Sequence, residues 1–360
     1  MTTPHINRIG TAVPAHDVHR KFVEFAPKLL SDERARRLFQ RMAERCQIEH
    51  RYSSFEPDPD PDGLDMERFF RRGAFPDTAA RMRWYERHAL GLAEASLDAL
   101  EIEECRGRIT HLIVASCTGF YAPGLDLQLV ERFGLNASVE RTIVGFMGCY
   151  AAMNALKLAR HIVRSEPSAN VLVVNLELCT LHLQETDDLE QVLSFLIFAD
   201  GCASCLVSAE PEGIALEDFR ATVVPDSGGQ ITWRIGQQGF DMFLAGAVPS
   251  TIARGLPQAL GGILGGRSAE DVELWAVHPG GRTILDAVEQ AAGLEPDRLA
   301  DSRAVLRDFG NMSSATVVFV LKRMLDRFRQ TGMGGNGLGC AMAFGPGLTA
   351  ESMLFRMAAP

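Results

Sequence analysis

Three polar residues stand where chemistry is possible. Cys149 lies in GFMGCYAAMNALKLARHIV, behind two closely spaced glycines and at the head of an apolar-periodic run that reads as a helix. His278 lies in VELWAVHPGG, just past a short apolar run that reads as a strand, and Asn311 lies in GNMSSATVVF, at the head of another helical pattern. A thiol is a useful nucleophile only as thiolate. A helix N-terminus and a neighbouring imidazolium lower its pKa from about 8.5 into the range of roughly 3.5 to 7.5. Cys149 has the first ingredient by position, and His278 could supply the second. Each residue also has an ordinary reading: a small buried hydrophobe, a structural hydrogen-bonder at a strand end, and a helix N-cap. Together they offer a nucleophile and two neutral donors, a set suited to acyl transfer.

The elements that must position these residues repeat along the chain. In the first part, helix ERHALGLAEASLDAL precedes strand HLIVASCTG, and helix CYAAMNALKLARHIV precedes strand NVLVVNLEL. In the second, helix PSTIARGLPQALGGIL precedes strand LWAVHPGG, and helix SSATVVFVLKRMLDRF precedes strand LGCAMAFGPG. The period is too long for a solenoid, so the pattern predicts a duplicated α/β unit, with halves at 1–212 and 213–360 and one largely parallel sheet from each. In that duplication Cys149 corresponds to Asn311, and two pseudo-equivalent helix starts face one site. His278 falls beyond the carboxyl end of a strand, where open α/β sheets present ligand-binding residues.

Bulk properties narrow the function classes. A chain of 360 residues, 46% hydrophobic, with 33 glycines, is long enough for a large buried α/β core. A formal net charge of -10, with no long block of like charge, argues against nucleic-acid binding and for small-molecule substrates. The opening MTTPHINRIGTAVPAH has no secretory pattern and no apolar run reaches membrane-spanning length, so a soluble cytoplasmic protein is expected. Eight cysteines, dispersed from Cys46 to Cys340, read as reduced thiols. Cys202 and Cys205 form a C-x-x-C inside an apparent buried strand, where residues three apart face opposite ways. A metal site there lacks its second ligand pair, and no metal or other cofactor is expected.

The motifs GFMGCYAA, VHPGGRTILD, GNMSSATVVFVL and AFGPGLTAE, in this order, resemble those of the type III polyketide synthases, the chalcone and stilbene synthase-like enzymes. The resemblance extends to IGTAVP, FQRMAER, SCTGFYAPGLDLQLV and LIFADG, and so spans nearly the whole chain. It implies a thiolase-like αβαβα fold, in agreement with the duplication, and a homodimer that uses acyl-CoA and malonyl-CoA. Cys149 would carry the starter and the growing polyketide as a thioester. His278 would stabilise the thiolate and, with Asn311, hold the malonyl thioester oxygen during loss of CO₂, each donor contributing about 3 kcal/mol. Phe198 matches a gatekeeper phenylalanine between CoA tunnel and cavity. Arg41 and Arg45 match residues that hold the CoA phosphates, Leu38 replaces a lysine of that pattern with Arg37 nearby, and Gly280 and Gly281 fall on the CoA path. Ser313 and the stretch Phe344, Gly345, Pro346 and Gly347 would border the cavity.

The chain departs from the plant pattern at cavity positions. Cys117, Cys179 and His182 stand where plant enzymes carry threonines, Met242 replaces a second gatekeeper phenylalanine, and Trp233 falls near a glycine that controls cavity volume. Ala122 takes the position that reaches into the partner's cavity. These differences point to the bacterial branch, with malonyl or fatty acyl starters and pyrone, resorcinol or naphthalene products. Ala122 leaves room for an aliphatic chain, whereas Trp233 argues for a short cavity. Two related condensing enzymes fit less well. Ketoacyl synthase III places its histidine in an H-Q-A-N context, and HMG-CoA synthase needs a glutamate base. A non-catalytic thiolase-fold partner protein is disfavoured by the intact triad.

Overall fold

The structure, a computed structural model, describes residues 2–332 and 337–358. The first half contains strands β1 (His5–Ala12), β2 (His16–Asp17), β3 (Tyr52–Ser53), β4 (His111–Ser116), β5 (Glu140–Gly145), β6 (Val171–Leu178) and β7 (Asp200–Ser208). Its helices are α1 (His19–Phe25), α2 (Glu33–Arg45), α3 (Thr78–Ala99), α4 (Leu125–Phe133), α5 (Ala151–Ser165) and α6 (Leu189–Phe195). The second half contains strands β8 (Gly213–Val223), β9 (Ile231–Gly236), β10 (Gly239–Leu244), β11 (Leu274–Val277), β12 (Leu338–Gly345) and β13 (Thr349–Ala358). Its helices are α7 (Val248–Ile263), α8 (Arg282–Ala292), α9 (Ala300–Phe309) and α10 (Thr316–Thr331).

Strand order in the main sheet is β11-β12-β13-β8-β1-β7-β6-β4-β5. Reading outward from the centre, β1-β7-β6-β4 in the first half matches β8-β13-β12-β11 in the second. β4 with β6 and β11 with β12 run parallel, whereas β6 with β7 and β12 with β13 run antiparallel. The sequence predicts two sheets, one per half. In the structure β1 and β8 join them through two residue pairs, His5 with Ala215 and Ile6 with Ile214, into one nine-stranded sheet. The sheet is mixed because β7 and β13, the last in-sheet strand of each half, run antiparallel to both of their neighbours.

Alternation along the strands builds the layers. In β6, Val171 and Val173 face an inner cluster, while Leu172, Val174 and Leu176 face an outer one with α1, α3 and α4. In β12, Ala341 and Ala343 face the same inner cluster, and Cys340 and Met342 face a third cluster with α7 and α8. The inner cluster is filled by α5 and α10, so two half-sheets sandwich a shared helical layer between two outer ones. α10 is buried at every position from Thr316 to Leu321, as a helix with apolar surface all round requires. Cys202 packs in the outer cluster and Cys205 in the inner one, on opposite faces of β7. Among the described residues no helix is long and apolar enough to cross a membrane.

Candidate active site

A single 3-10 turn, Gly148–Tyr150, carries Cys149 and leads directly into α5. Gly148 has φ +67, and a Cβ there would sit 2.3 Å from Pro346 Cδ. Opposite it, a Cβ on Gly345 would meet the Tyr150 ring at 2.6 Å. Glycine at both places lets the 343–347 stretch close over the cysteine turn. His278 follows β11 and donates its backbone N–H to the Met342 carbonyl at 2.7 Å, which fixes the imidazole at the strand's end. Asn311 is held by its backbone to the segment around Phe198: its N–H donates to the Ile197 carbonyl (2.8 Å), and its carbonyl accepts from Ala199 N–H (2.9 Å).

The duplication pairs these residues differently from the sequence expectation. Counting back from the first residues of α5 and α10, Ala151 and Thr316, Cys149 corresponds to Ser314 and Gly148 to Ser313. Asn311 lies three residues further upstream than the counterpart of Cys149. The correspondence extends to the backbone: Ser313 has φ +47 where Gly148 has +67. A non-glycine residue rarely adopts that conformation. Here it is secured by Ser313 N–H donating to Asn311 Oδ1 (2.9 Å) and by Thr316 Oγ1 donating to the Ser313 carbonyl (2.9 Å). With Oδ1 committed to a backbone donor, Asn311 must present Nδ2 to the site, where it lies 3.4 Å from the Gly280 carbonyl.

All three residues line one cavity. Cys117, Cys179, Phe198, Trp233, Met242 and Ser313 line it, together with Phe344, Gly345, Pro346 and Gly280, the last expected on the CoA path. Its remaining wall is apolar, with Phe195, Ile231, Leu244, Val248 and Ile284 beside the polar Thr118 and Gly148. The Cys149 thiol is within hydrogen-bonding reach of Ser313 and Asn311. Both ring nitrogens of His278, 1% exposed, are without a protein partner and remain open to a substrate.

Burial works against the expected lowering of the Cys149 pKa. Burial pushes the Cys149 thiol up to about 12, and the nearby Glu177 carboxylate adds to the rise, against smaller lowering by hydrogen bonds from Ser313 and Asn311. Burial likewise takes His278 down to about 3. Burial thus favours the neutral form of each group taken alone, so a thiolate–imidazolium pair forms here only against the cost of desolvation. Desolvation outweighs the helix-end effect because the site is walled by apolar side chains.

Several predicted positions lie elsewhere. His182 is fully buried behind the wall: its Nε2 donates to the Thr118 carbonyl (2.6 Å), its Nδ1 accepts from Phe240 N–H (3.0 Å), and its ring stacks on Phe240. Trp233 packs edge-on against it and donates from Nε1 to the Cys117 carbonyl at 2.7 Å. Gly347 turns away from the cavity at φ +75. Ala122 is exposed, outside this chain's own cavity. Gly281 and Arg45 line a second depression that shares Gly280, Leu244, Val248 and Ile284 with the cavity and so forms its entrance. Arg41 lies on the exposed face of α2 and does not reach that entrance, and neither does Arg37, which pairs with Glu33.

Sequence reasoning missed Glu177. Its carboxylate is wholly buried, and burial raises its pKa. Oε2 accepts from Cys117 N–H (3.0 Å) and Thr118 Oγ1 (2.8 Å), and Oε1 accepts from Cys117 Sγ (3.3 Å) and Ser314 Oγ (2.5 Å). The only signal was a charged residue inside the buried run NVLVVNLEL.

The comparisons agree with this geometry. The family models "Chalcone and stilbene synthases, N-terminal domain" and "C-terminal domain" match residues 3–211 and 216–359. The "Alpha-pyrone synthesis polyketide synthase-like Pks18" of Mycobacterium tuberculosis is 32% identical over 98% of this chain and 91% of its own. Bisdemethoxycurcumin synthase of Oryza sativa subsp. japonica is 33% identical over 96% of this chain and 90% of its own. The crystal structure of PKS-I from the brown alga Ectocarpus siliculosus superposes with a TM-score of 0.86 at 29% identity, covering 99% of both chains. With a thiolase-like α/β fold and this match over nearly its full length, the chain belongs to the chalcone and stilbene synthase family of type III polyketide synthases, acyltransferases that form polyketides.

Proposed function

We propose that the protein loads an acyl-CoA starter on Cys149, extends it with malonyl-CoA by decarboxylative condensation, and cyclises the product to a pyrone, resorcinol or related aromatic. The observation that carries this reading is the meeting of a thiol, an imidazole with both nitrogens open and an outward-turned carboxamide in one apolar cavity. As the thiol attacks the starter thioester, its proton passes to the neutral imidazole and then to the departing CoA sulfur. Malonyl-CoA next places its thioester oxygen against His278 and Asn311 Nδ2. When CO₂ leaves, the electron pair moves onto that oxygen, and the two donors stabilise it without reorganising. The resulting carbon nucleophile attacks the Cys149 thioester and displaces the thiolate. The Phe198 ring, on the cavity wall, limits water at the carbanion.

The pyrone outcome takes support from the printed name of the mycobacterial relative, and a short to medium acyl chain from Trp233 and Met242 on the wall. We read Arg45, Gly280 and Gly281 as the CoA contacts at the entrance. Residues 1–212 and 213–360 are read as the duplicated halves, on the matched strand orders. The proposed homodimer pairs the exposed edge strand β5, whose residues 140–143 face outward with Ile143 48% exposed, and turns Ala122 toward the partner. The setting proposed for this reaction is the cytoplasm. The test is a panel of acyl-CoA starters with labelled malonyl-CoA. An acyl adduct on Cys149 and labelled pyrone or resorcinol are expected. Consumption of neither thioester overturns the reading.

A further inference from the structure

The gatekeeper segment is held from two sides. On the cavity side Ile197 and Ala199 pair with Asn311, and Phe198 bridges to it. On the far side stands Arg51, 2% exposed, its backbone N–H on Asp17 Oδ1 (3.2 Å) and its guanidinium without an ion pair among the described residues, as a bracket on the same segment. One nitrogen, Nη1, donates to the carbonyls of both Phe195 (2.9 Å) and Phe198 (2.6 Å), and Nε donates to His19 Nδ1 at 3.0 Å. The guanidinium also lies 5.0 Å from the Phe22 ring centre. Its aliphatic stem passes under Gly310, where a Cβ would approach Arg51 Cγ at 2.8 Å and the Ile197 carbonyl at 2.9 Å. Gly310 immediately precedes Asn311. A single buried side chain thus touches the backbone of the gatekeeper turn and the residue next to the carboxamide.

Packing alone does not fix the gatekeeper. Behind Phe195 and Phe198 lies a second, small cavity, walled by Phe22, Phe55, Phe70 and Leu183, with Arg51 on its surface. The Phe198 ring borders a cavity on each side, so its backbone anchors add to packing in holding it at the reactive one. We infer that Arg51 is a positioning residue that sets both Phe198 and Asn311 through the 195–199 backbone, and so governs malonyl decarboxylation without contacting substrate. The inference rests on the proposed roles of Phe198 and Asn311. The planar fork matters here: it reaches two carbonyls and an imidazole at once, which an ammonium on a flexible stem does not reproduce.

Arg51→Lys keeps the charge and loses the fork. Starter acylation of Cys149 should stay close to that of the parent, because Arg51 does not reach the thiol or the CoA entrance. The kcat for CO₂ release from malonyl-CoA should fall by up to about 100-fold, the cost of a misplaced catalytic group. KM for malonyl-CoA should hold. A lower melting temperature with an unchanged ratio of acylation to CO₂ release makes Arg51 merely structural and overturns the inference, as does equal loss of both steps. His19→Phe provides a milder version that leaves Arg51 in place. It removes the acceptor for Nε and should shift the same ratio in the same direction by about fivefold. No shift in that variant also overturns the inference. If the parent enzyme itself releases no CO₂, the reading of the site fails and the role of Arg51 falls with it. If the parent releases CO₂ and both variants match it, only the role of Arg51 fails.

Discussion

The two halves share a strand order and differ in what they bring to the site. The first supplies the Cys149 thiol, proposed as the nucleophile, and near it the buried carboxylate of Glu177. The second supplies neutral donors, His278 and Asn311, and also the β9–β10 hairpin, which places Trp233 and Met242 on the cavity wall. The corresponding stretch of the first half, between β1 and α3, holds only the two-residue ladder of β2 with β3, which contributes nothing to the cavity wall among the described residues. The lesson is a division of labour on a common frame. The proposed chemistry gathers near the starts of α5 and α10 and the end of β11, and the proposed selectivity lies where the halves diverge.

That division can be broken at its strongest point first. Cys149→Ala should abolish product and the acyl adduct while the melting temperature stays near that of the parent, because a small residue fits the turn. Product at a comparable rate by mass spectrometry would place the nucleophile elsewhere. Asn311→Ala should lower CO₂ release about 100-fold or more, the usual effect of removing one such donor, and leave Cys149 acylation far less affected. Equal loss of both steps would reduce Asn311 to a support for Ser313, whose N–H it caps.

The hairpin gives the next test. Trp233→Ala should move product toward longer starters, since the indole is part of the wall, and should cost about 1 kcal/mol for the lost bond to the Cys117 carbonyl. An unchanged chain-length profile across a starter panel would remove the hairpin from selectivity. Glu177→Gln sharpens the first-half side. The carboxylate raises the Cys149 pKa, so the midpoint of Cys149 alkylation against pH should fall in the variant. A midpoint that stays or rises would show that lost hydrogen bonds to Cys117 and Ser314 dominate.

The smallest effect is on stability against acid. His278 is held near 3 by burial, against 6.5 as its ordinary value. Below pH 6.5 the unfolded chain takes up a proton that the folded one refuses, so this contribution is complete above 6.5 and is lost as pH falls toward 3. His278→Gln should therefore show a shallower fall in melting temperature between pH 7 and pH 4. His182, lowered to about 3 by the same cause, keeps part of the slope.

Legibility in the sequence followed locality. The helix and strand order could be read because apolar periodicity is a local signal, and so could Cys149, His278 and Asn311, each at the edge of a periodic run. The opposite faces of Cys202 and Cys205 followed from a period of two. The protonation state of Cys149 could not be read, since it depends on Phe198, Trp233 and Phe344 arriving from distant parts of the chain. His182 was assigned to the wall by its place in the motif, yet the neighbouring aromatics Phe240 and Trp233 draw its ring into the layer behind. Glu177 and Arg51 were invisible for a related reason. Each is a charge whose partners are backbone groups and hydroxyls scattered over more than a hundred positions.

The shared inner layer bears on how the chain is made. When ribosomal synthesis has released β1 through β7, the inner face of that half carries α5 but lacks α10, and Ile113, Val173 and Val207 have only part of their final cover. A nascent chain at that stage exposes a broad apolar surface and has no native partner until Thr316–Thr331 emerges. Delayed completion, rather than slow chemistry of any one residue, then sets the window in which chaperones must hold it. Truncation after residue 212 should accordingly yield aggregated or chaperone-bound chains instead of a soluble half.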